Sequence, residues 1–187
     1  MCIRDRVKVA ERVGYTGRNT DKEARVVENS YKEFFGRGQF PVVSTQAAVI
    51  RRSVLKNNDI SFVEGAAGQD TLYGWELLHY AKSPIFTNTA YIIYYAERTS
   101  SITNSVDTAY FDKSLVLERA QVQSLKKMGL FEEYVESRFD AFIRGWYLEK
   151  LRRVPEEHRE SAAQTLRKII DLYGQRPEDY LESVVNG

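Results

Sequence analysis

From Tyr110 to Val185 apolar residues recur every three or four positions, and this spacing predicts four helices, at 111–127, 130–153, 156–173 and 177–185. The breaks fall near Gly129, at Val154-Pro155 and between Gly174 and Pro177, where glycine and proline stop or start a helix. The second of these segments carries Phe131, Tyr134, Phe139, Phe142, Trp146, Tyr147 and Leu151 as a broad apolar and aromatic stripe. Such a stripe buries against the parent domain or a partner helix. Before residue 106 the pattern is mixed. Strand-like alternation at 7–13 is followed by a Gly-, Asn- and Asp-rich loop at 14–21 and a helix at 22–35 that Gly36 and Gly38 end. A short extended segment at 40–43 leads to mixed strand and helix at 45–56 and an edge-like strand at 59–63. Leu72, Trp75, Leu77, Leu78 and Ala81 then mark a helix opening at Asp70. The β-branched and aromatic residues of 85–89 and 90–95 predict a strand pair.

Composition narrows the function classes. The chain has 187 residues, 43% of them hydrophobic and 28% charged, which suffices for a packed core. Its formal net charge of +1 supplies no basic field for nucleic acid, and no apolar run approaches the length of a membrane span. One cysteine, Cys2, allows no internal disulfide, and two histidines, His79 and His158, do not make a histidine-rich metal site. Met1 to Arg6 has no signal-peptide core and resembles translated adapter read-through, so an artefactual start on a truncated gene is expected, with a genuine short leader as the alternative.

Candidate chemistry centres on Val63-Glu64-Gly65-Ala66-Ala67-Gly68-Gln69-Asp70-Thr71-Leu72-Tyr73. Its glycines let the backbone bend, and Asp70 stands between a loop and a helix. A carboxylate there suits a helix cap and suits a general base equally. Trp75 and His79, four apart, share a helix face; Trp75 either stacks on a bound ring or packs in the core, and His79 reads as a surface or boundary residue. Arg51 and Arg52 read as a solvated face before a phosphate-facing pair, and the Lys150, Arg152 and Arg153 cluster, which would suit an anionic membrane surface, is largely offset by neighbouring acids.

Three segments together resemble family 2 glycosyltransferases. Val49-Ile50-Arg51-Arg52-Ser53-Val54-Leu55-Lys56-Asn57-Asn58-Asp59-Ile60-Ser61-Phe62 looks like the family's basic pair, serine and leucine before an Asn-Ile-x-Phe strand. Glu64 to Tyr73 is similar to its acidic motif, with Gln69 where glutamate is usual. Tyr94-Tyr95-Ala96-Glu97-Arg98-Thr99-Ser100-Ser101-Ile102-Thr103 resembles its closing segment, with Tyr94 where histidine is frequent. The order and spacing are the family's, over about Val42 to Asn104.

The resemblance implies an α/β fold, namely part of a glycosyltransferase type A (nucleotide-diphospho-sugar transferase) domain at 1–106, followed by an α-helical extension at 107–187. It implies Asp70 as the base that takes the acceptor's proton, with Gln69, Tyr94, Arg98 and Trp75 binding substrate. Arg98 would face the leaving diphosphate; a surface arginine paired with Glu97 or Asp107 is the other reading. The family's Asp-x-Asp, which holds a magnesium or manganese ion against the donor phosphates, occurs nowhere in this sequence. The expectation is therefore an acceptor-side fragment of an inverting enzyme of bacterial cell-surface polymer synthesis, inactive alone. Its partners would be a nucleotide-sugar donor and a glycan or polyol acceptor, with no nucleic acid. It would be cytoplasmic, with peripheral association at the inner face of the membrane and homo-oligomerisation through the helical tail. A non-enzymatic helical interaction module is the alternative.

Overall fold

The computed structural model describes Arg25–Val26, Phe35, Phe40, Thr45, and residues 48–81, 84–86 and 106–185. Helix dominates. Regular β-structure among these residues is one antiparallel pair, β1 (Arg25–Val26) with β2 (Ile85–Phe86), in which Arg25 opposes Phe86 and Val26 opposes Ile85. This corrects the α/β glycosyltransferase type A expectation: a two-residue ladder is not a sheet on which such a domain could be built, and the described residues are mostly helical. It also overturns two local readings. Arg25 and Val26 fall inside the helix expected at 22–35, yet pair as strand with a segment about sixty residues away in the chain, where the β-branched Val26 and Ile85 and the aromatic Phe86 suit an extended backbone. The strand expected at 59–63 does not form, because Asp59 takes the left-handed conformation (φ 55°) and closes the preceding helix. The strand at 7–13 and the 90–95 half of the later strand pair lie outside the described residues.

The described residues divide into two compact units. One contains those up to Phe62 together with Asp70 to Phe86; the other contains Val63–Gln69 and everything from Val106 onward. In the first, α1 (Arg52–Asn58) ends where the amides of Asp59 and Ile60 both donate to the Leu55 carbonyl. This αL closure satisfies orphan carbonyls of the last turn. It aims Ile60 at Tyr73 and Leu77 of α2 (Asp70–Tyr80), and Ile50, Val54, Leu55 and Tyr80 complete that cluster. On α2, Leu72, Tyr73, Gly74, Trp75, Leu77 and Leu78 are all buried. A helix apolar on so many sides is a core element.

The second unit is built on α3 (Thr108–Met128), α4 (residues 131–152) and α5 (Glu156–Leu172), with α6 (Glu178–Val185) at the end. These bounds agree with the sequence-based helices to within a few residues. Their ends are where the chain's chemistry puts them: the Asp107 side chain accepts from the Tyr110 amide at 2.9 Å, and Gly129 closes α3 in the left-handed region. Contacts fix the directions. Tyr110 meets Trp146 and Gln121 reaches Tyr134, so α3 and α4 are antiparallel. Asp112 meets Thr165 and Gln121 meets Tyr173, so α3 and α5 run parallel in an up-down-up bundle. Leu125, Leu130, Ile143, Leu151, Leu166, Ile169 and Ile170 are wholly buried there. Each contributes about 1.5–3 kcal/mol of transfer free energy.

Helix α4 is not regular. Val135–Phe139 and Ile143–Leu148 are π-helical, each widening the helix by part of a residue per turn. The stripe explains why. Tyr134 and Phe139 are five apart and both about 1% exposed, a spacing that an α-helix would splay by roughly 140°. The π turn absorbs the extra residue and returns both rings to the core.

Candidate functional site

Asp70 is the first residue of α2 and is exposed. Its Oδ1 accepts a hydrogen bond from the Thr45 hydroxyl at 3.2 Å. The backbone before it turns through Gly65 (φ 74°) and Gly68 (φ 75°), conformations that side-chain-bearing residues adopt at a cost. Just past Asp70, Leu72 and Tyr73 are buried, and Tyr73 is stacked on Phe62 with ring centroids 4.3 Å apart. The carboxylate is thus solvent-facing while the turn that carries it is anchored. Such a group can accept a proton from an approaching hydroxyl.

The other sequence candidates are distributed differently. Trp75 is 4% exposed and meets Phe40 edge-on at 5.2 Å, which is the packing reading of that residue and leaves no open ring face for a sugar. Gln69 is half-buried, and its Oε1 is buried with no hydrogen-bond partner. His79 is half-buried beside Tyr80, and burial holds its imidazole below the usual pKa. Arg51 and Arg52 are exposed, as a solvated face requires. Tyr94 and Arg98 lie outside the described residues.

One group of polar residues was not singled out from sequence. Ser114, Glu118 and Gln121 are buried on α3, in line with Phe111, Leu125 and Met128. Those six positions run 111, 114, 118, 121, 125, 128, a heptad seam with its second to fourth members polar. That break in an apolar seam was the available signal. Tyr147 donates to Glu118 Oε1 at 2.7 Å, while Tyr173 (2.5 Å) and Gln121 Nε2 (3.1 Å) donate to Oε2. The Gln121 amide also donates to the Tyr173 hydroxyl at 2.7 Å. Burial pushes the Glu118 carboxyl above its ordinary pKa, and the two tyrosine hydrogen bonds act against that shift.

Among the described residues no group of three or more His, Cys, Asp and Glu side chains gathers as a metal site. Among the same residues no helix is long and apolar enough to cross a membrane. Comparison with family models, with curated proteins and with solved structures finds no match to this chain.

Proposed function

We propose that this chain supplies the acceptor side of an inverting sugar-transfer reaction, with Asp70 as general base. The supporting observation is the placement of Asp70, an exposed carboxylate at the head of a buried helix, steered by the Thr45 hydroxyl. The proposal does not rest on a glycosyltransferase type A sheet. In such a reaction an acceptor hydroxyl attacks the anomeric carbon of a nucleotide-sugar. The carbon–oxygen bond to the acceptor forms as the bond to the nucleoside diphosphate breaks, and the hydroxyl proton passes to the carboxylate. A hydroxyl is a weak nucleophile at neutral pH, so a base within hydrogen-bond reach is worth about 10²–10⁴-fold. Arg98 keeps the diphosphate-facing role, and Tyr94 the substrate-binding role, that the family resemblance implies, and the acceptor is a glycan or polyol.

The test is sugar transfer from nucleotide-sugars, with manganese, to polyol and glycan acceptors, comparing the wild type with Asp70→Asn. Asparagine keeps the shape of the side chain and cannot take the proton. A loss of about 10²-fold or more in kcat, with acceptor binding retained, supports the reading. Measurable turnover that is equal in the two proteins refutes it; if neither turns over, calorimetric titration of the wild type with the polyol and glycan acceptors decides, and no acceptor binding refutes the reading.

A second reading, a helical interaction module, is favoured by one specific observation. The second unit has its own core of wholly buried residues, from Phe111 to Ile170. On that reading Asp70→Asn changes nothing, and residues 106–185 mediate self-association, which sedimentation of the full chain would detect.

A further inference from the structure

Glu118 is 1% exposed, and among the described residues no lysine, arginine or histidine pairs with it. Its neighbours are hydroxyls and an amide, drawn from three helices: Gln121 on α3, Tyr147 on α4, and Tyr173 at the end of α5, with Tyr134 of α4 at 3.5 Å from the Gln121 amide. Phe131 and Phe139 lie against Tyr173, at 6.0 and 4.5 Å between ring centroids, and wall that tyrosine with aromatic carbon. A buried carboxylate without a cation is expensive to ionise, whereas the neutral acid costs little once hydrogen-bonded.

We propose that Glu118 and the tyrosines around it form a proton-gated latch, which pins α3 to α4 and α5 when the carboxyl carries a proton and loosens them when it does not. The inference is independent of the sugar-transfer reading. In the protonated state the carboxyl hydrogen donates to one tyrosine oxygen, and the cluster holds no net charge. In the ionised state both oxygens only accept, and the charge stays sealed among rings.

The groups facing the latch do not relieve that charge. Tyr110 on α3, Tyr134 and Tyr147 on α4, and Tyr173 after α5 all have phenol pKa values pushed above 10 by burial, and so remain neutral across the working range. The Glu118 charge raises each of them further. Arg138 on α4 acts on Tyr134, and Lys150 on α4 lies over the Tyr110 and Trp146 rings rather than on the carboxylate. The segment 63–69 meets α3 through Gly68, 3.7 Å from Leu117, and through the Ala67 amide on the Lys113 carbonyl; neither contact brings a charge to Glu118.

The direction of the pH dependence follows. The unfolded carboxyl releases its proton near the ordinary value of 4.5, while the folded one holds it to higher pH. Between those two points the folded chain binds more protons than the unfolded chain, so stability is full at the acid side and falls as pH rises. One linked proton changes the folding equilibrium constant by up to about tenfold per pH unit over that window. His79 acts with the opposite sign, since its folded pKa is lowered from 6.5. Its contribution is common to variants elsewhere and cancels in a ratio.

The experiment is urea unfolding of the full chain, followed by far-ultraviolet circular dichroism between pH 4.5 and 8, for the wild type and Glu118→Gln. The wild-type folding constant divided by that of the variant should fall by up to about tenfold per pH unit above 4.5, then level off. A ratio independent of pH overturns the proposal. Two measurements hold if Glu118→Gln does not fold. Infrared spectra of the native wild type taken from pH 4.5 to 8 should show a protonated-carboxyl band that persists above the pH at which the urea-unfolded chain has lost its own; bands lost at the same pH overturn the proposal. Tyr173→Phe removes a donor that favours the carboxylate, so the fall in stability should extend to higher pH than in the wild type; an unmoved profile also overturns it.

Discussion

The indole N–H of Trp146 donates to the Tyr110 hydroxyl at 2.9 Å, tying α4 to α3 across 36 residues of chain. Trp146 is 44% exposed, although its place in the aromatic stripe suggests burial, and the Lys150 ammonium lies 4.9 Å from its ring and 5.7 Å from that of Tyr110. Burial first, and the nearby Arg153 charge second, hold Lys150 below the usual lysine pKa. The three side chains form a clamp at the open side of the helix pair. Trp146→Phe keeps an aromatic face and loses the donor, and should cost about 1 kcal/mol of stability. Tyr110→Phe should cost a similar amount. In urea unfolding the double variant should fall short of the sum by about 0.5 kcal/mol or more, because the two single changes remove one shared bond. Strict additivity would show that the bond contributes nothing.

Asp107 is the N-cap of α3. Its carboxylate accepts from the Tyr110 amide, so Asp107→Ala leaves that donor to water and should lower stability by about 1 kcal/mol. Asp107→Asn retains an acceptor and should lower it by less. Thermal unfolding of the two variants side by side checks the order; a larger loss in Asp107→Asn would contradict the capping role.

Gly65 and Gly68 have nearly the same φ, 74° and 75°, in different surroundings. A Cβ at Gly65 would meet open space, and one at Gly68 would sit 3.7 Å from Leu117, an ordinary contact. Backbone strain alone should therefore decide both substitutions. Gly65→Ala and Gly68→Ala should each destabilise by about 1–2 kcal/mol, with no surplus at Gly68. Denaturant midpoints measured on the two variants test this. A much larger loss at Gly68 would mean that the loop cannot yield toward Leu117.

The helices of the second unit were legible because their signals are local. The 3.6-residue period, Gly129, Pro155 and Gly174 act within a turn or two of where they stand, whereas the Asp107 cap, which opens α3 at Thr108 rather than at 111, was not read. The first unit was legible only in part. Arg25 and Val26 sit in a stretch whose period suggests helix, and their pairing with Ile85–Phe86 is a non-local event that no window of sequence contains. Ile60 lies in a β-like run, but Asp59 turns the backbone just before it.

The candidate site divides along the same line. That Asp70 opens a helix after a glycine loop could be read from the residues themselves, whereas the Thr45 hydroxyl that steers it comes from 25 positions upstream. Trp75 reads from the sequence as core packing before ligand stacking, and Phe40, from 35 positions upstream, meets it edge-on.

By itself the sequence determined the approximate bounds of the bundle helices and the aromatic stripe of α4, since these follow from backbone geometry and apolar spacing over a few residues. Only the tertiary structure decided what fills the polar gap in the α3 seam. Glu118, Gln121, Tyr134, Tyr147 and Tyr173 come from three helices, and a buried carboxyl must find its donors wherever the fold delivers them. The π-helical turns of α4 have the same origin: Tyr134 and Phe139, five apart, reach one core only if the helix widens between them.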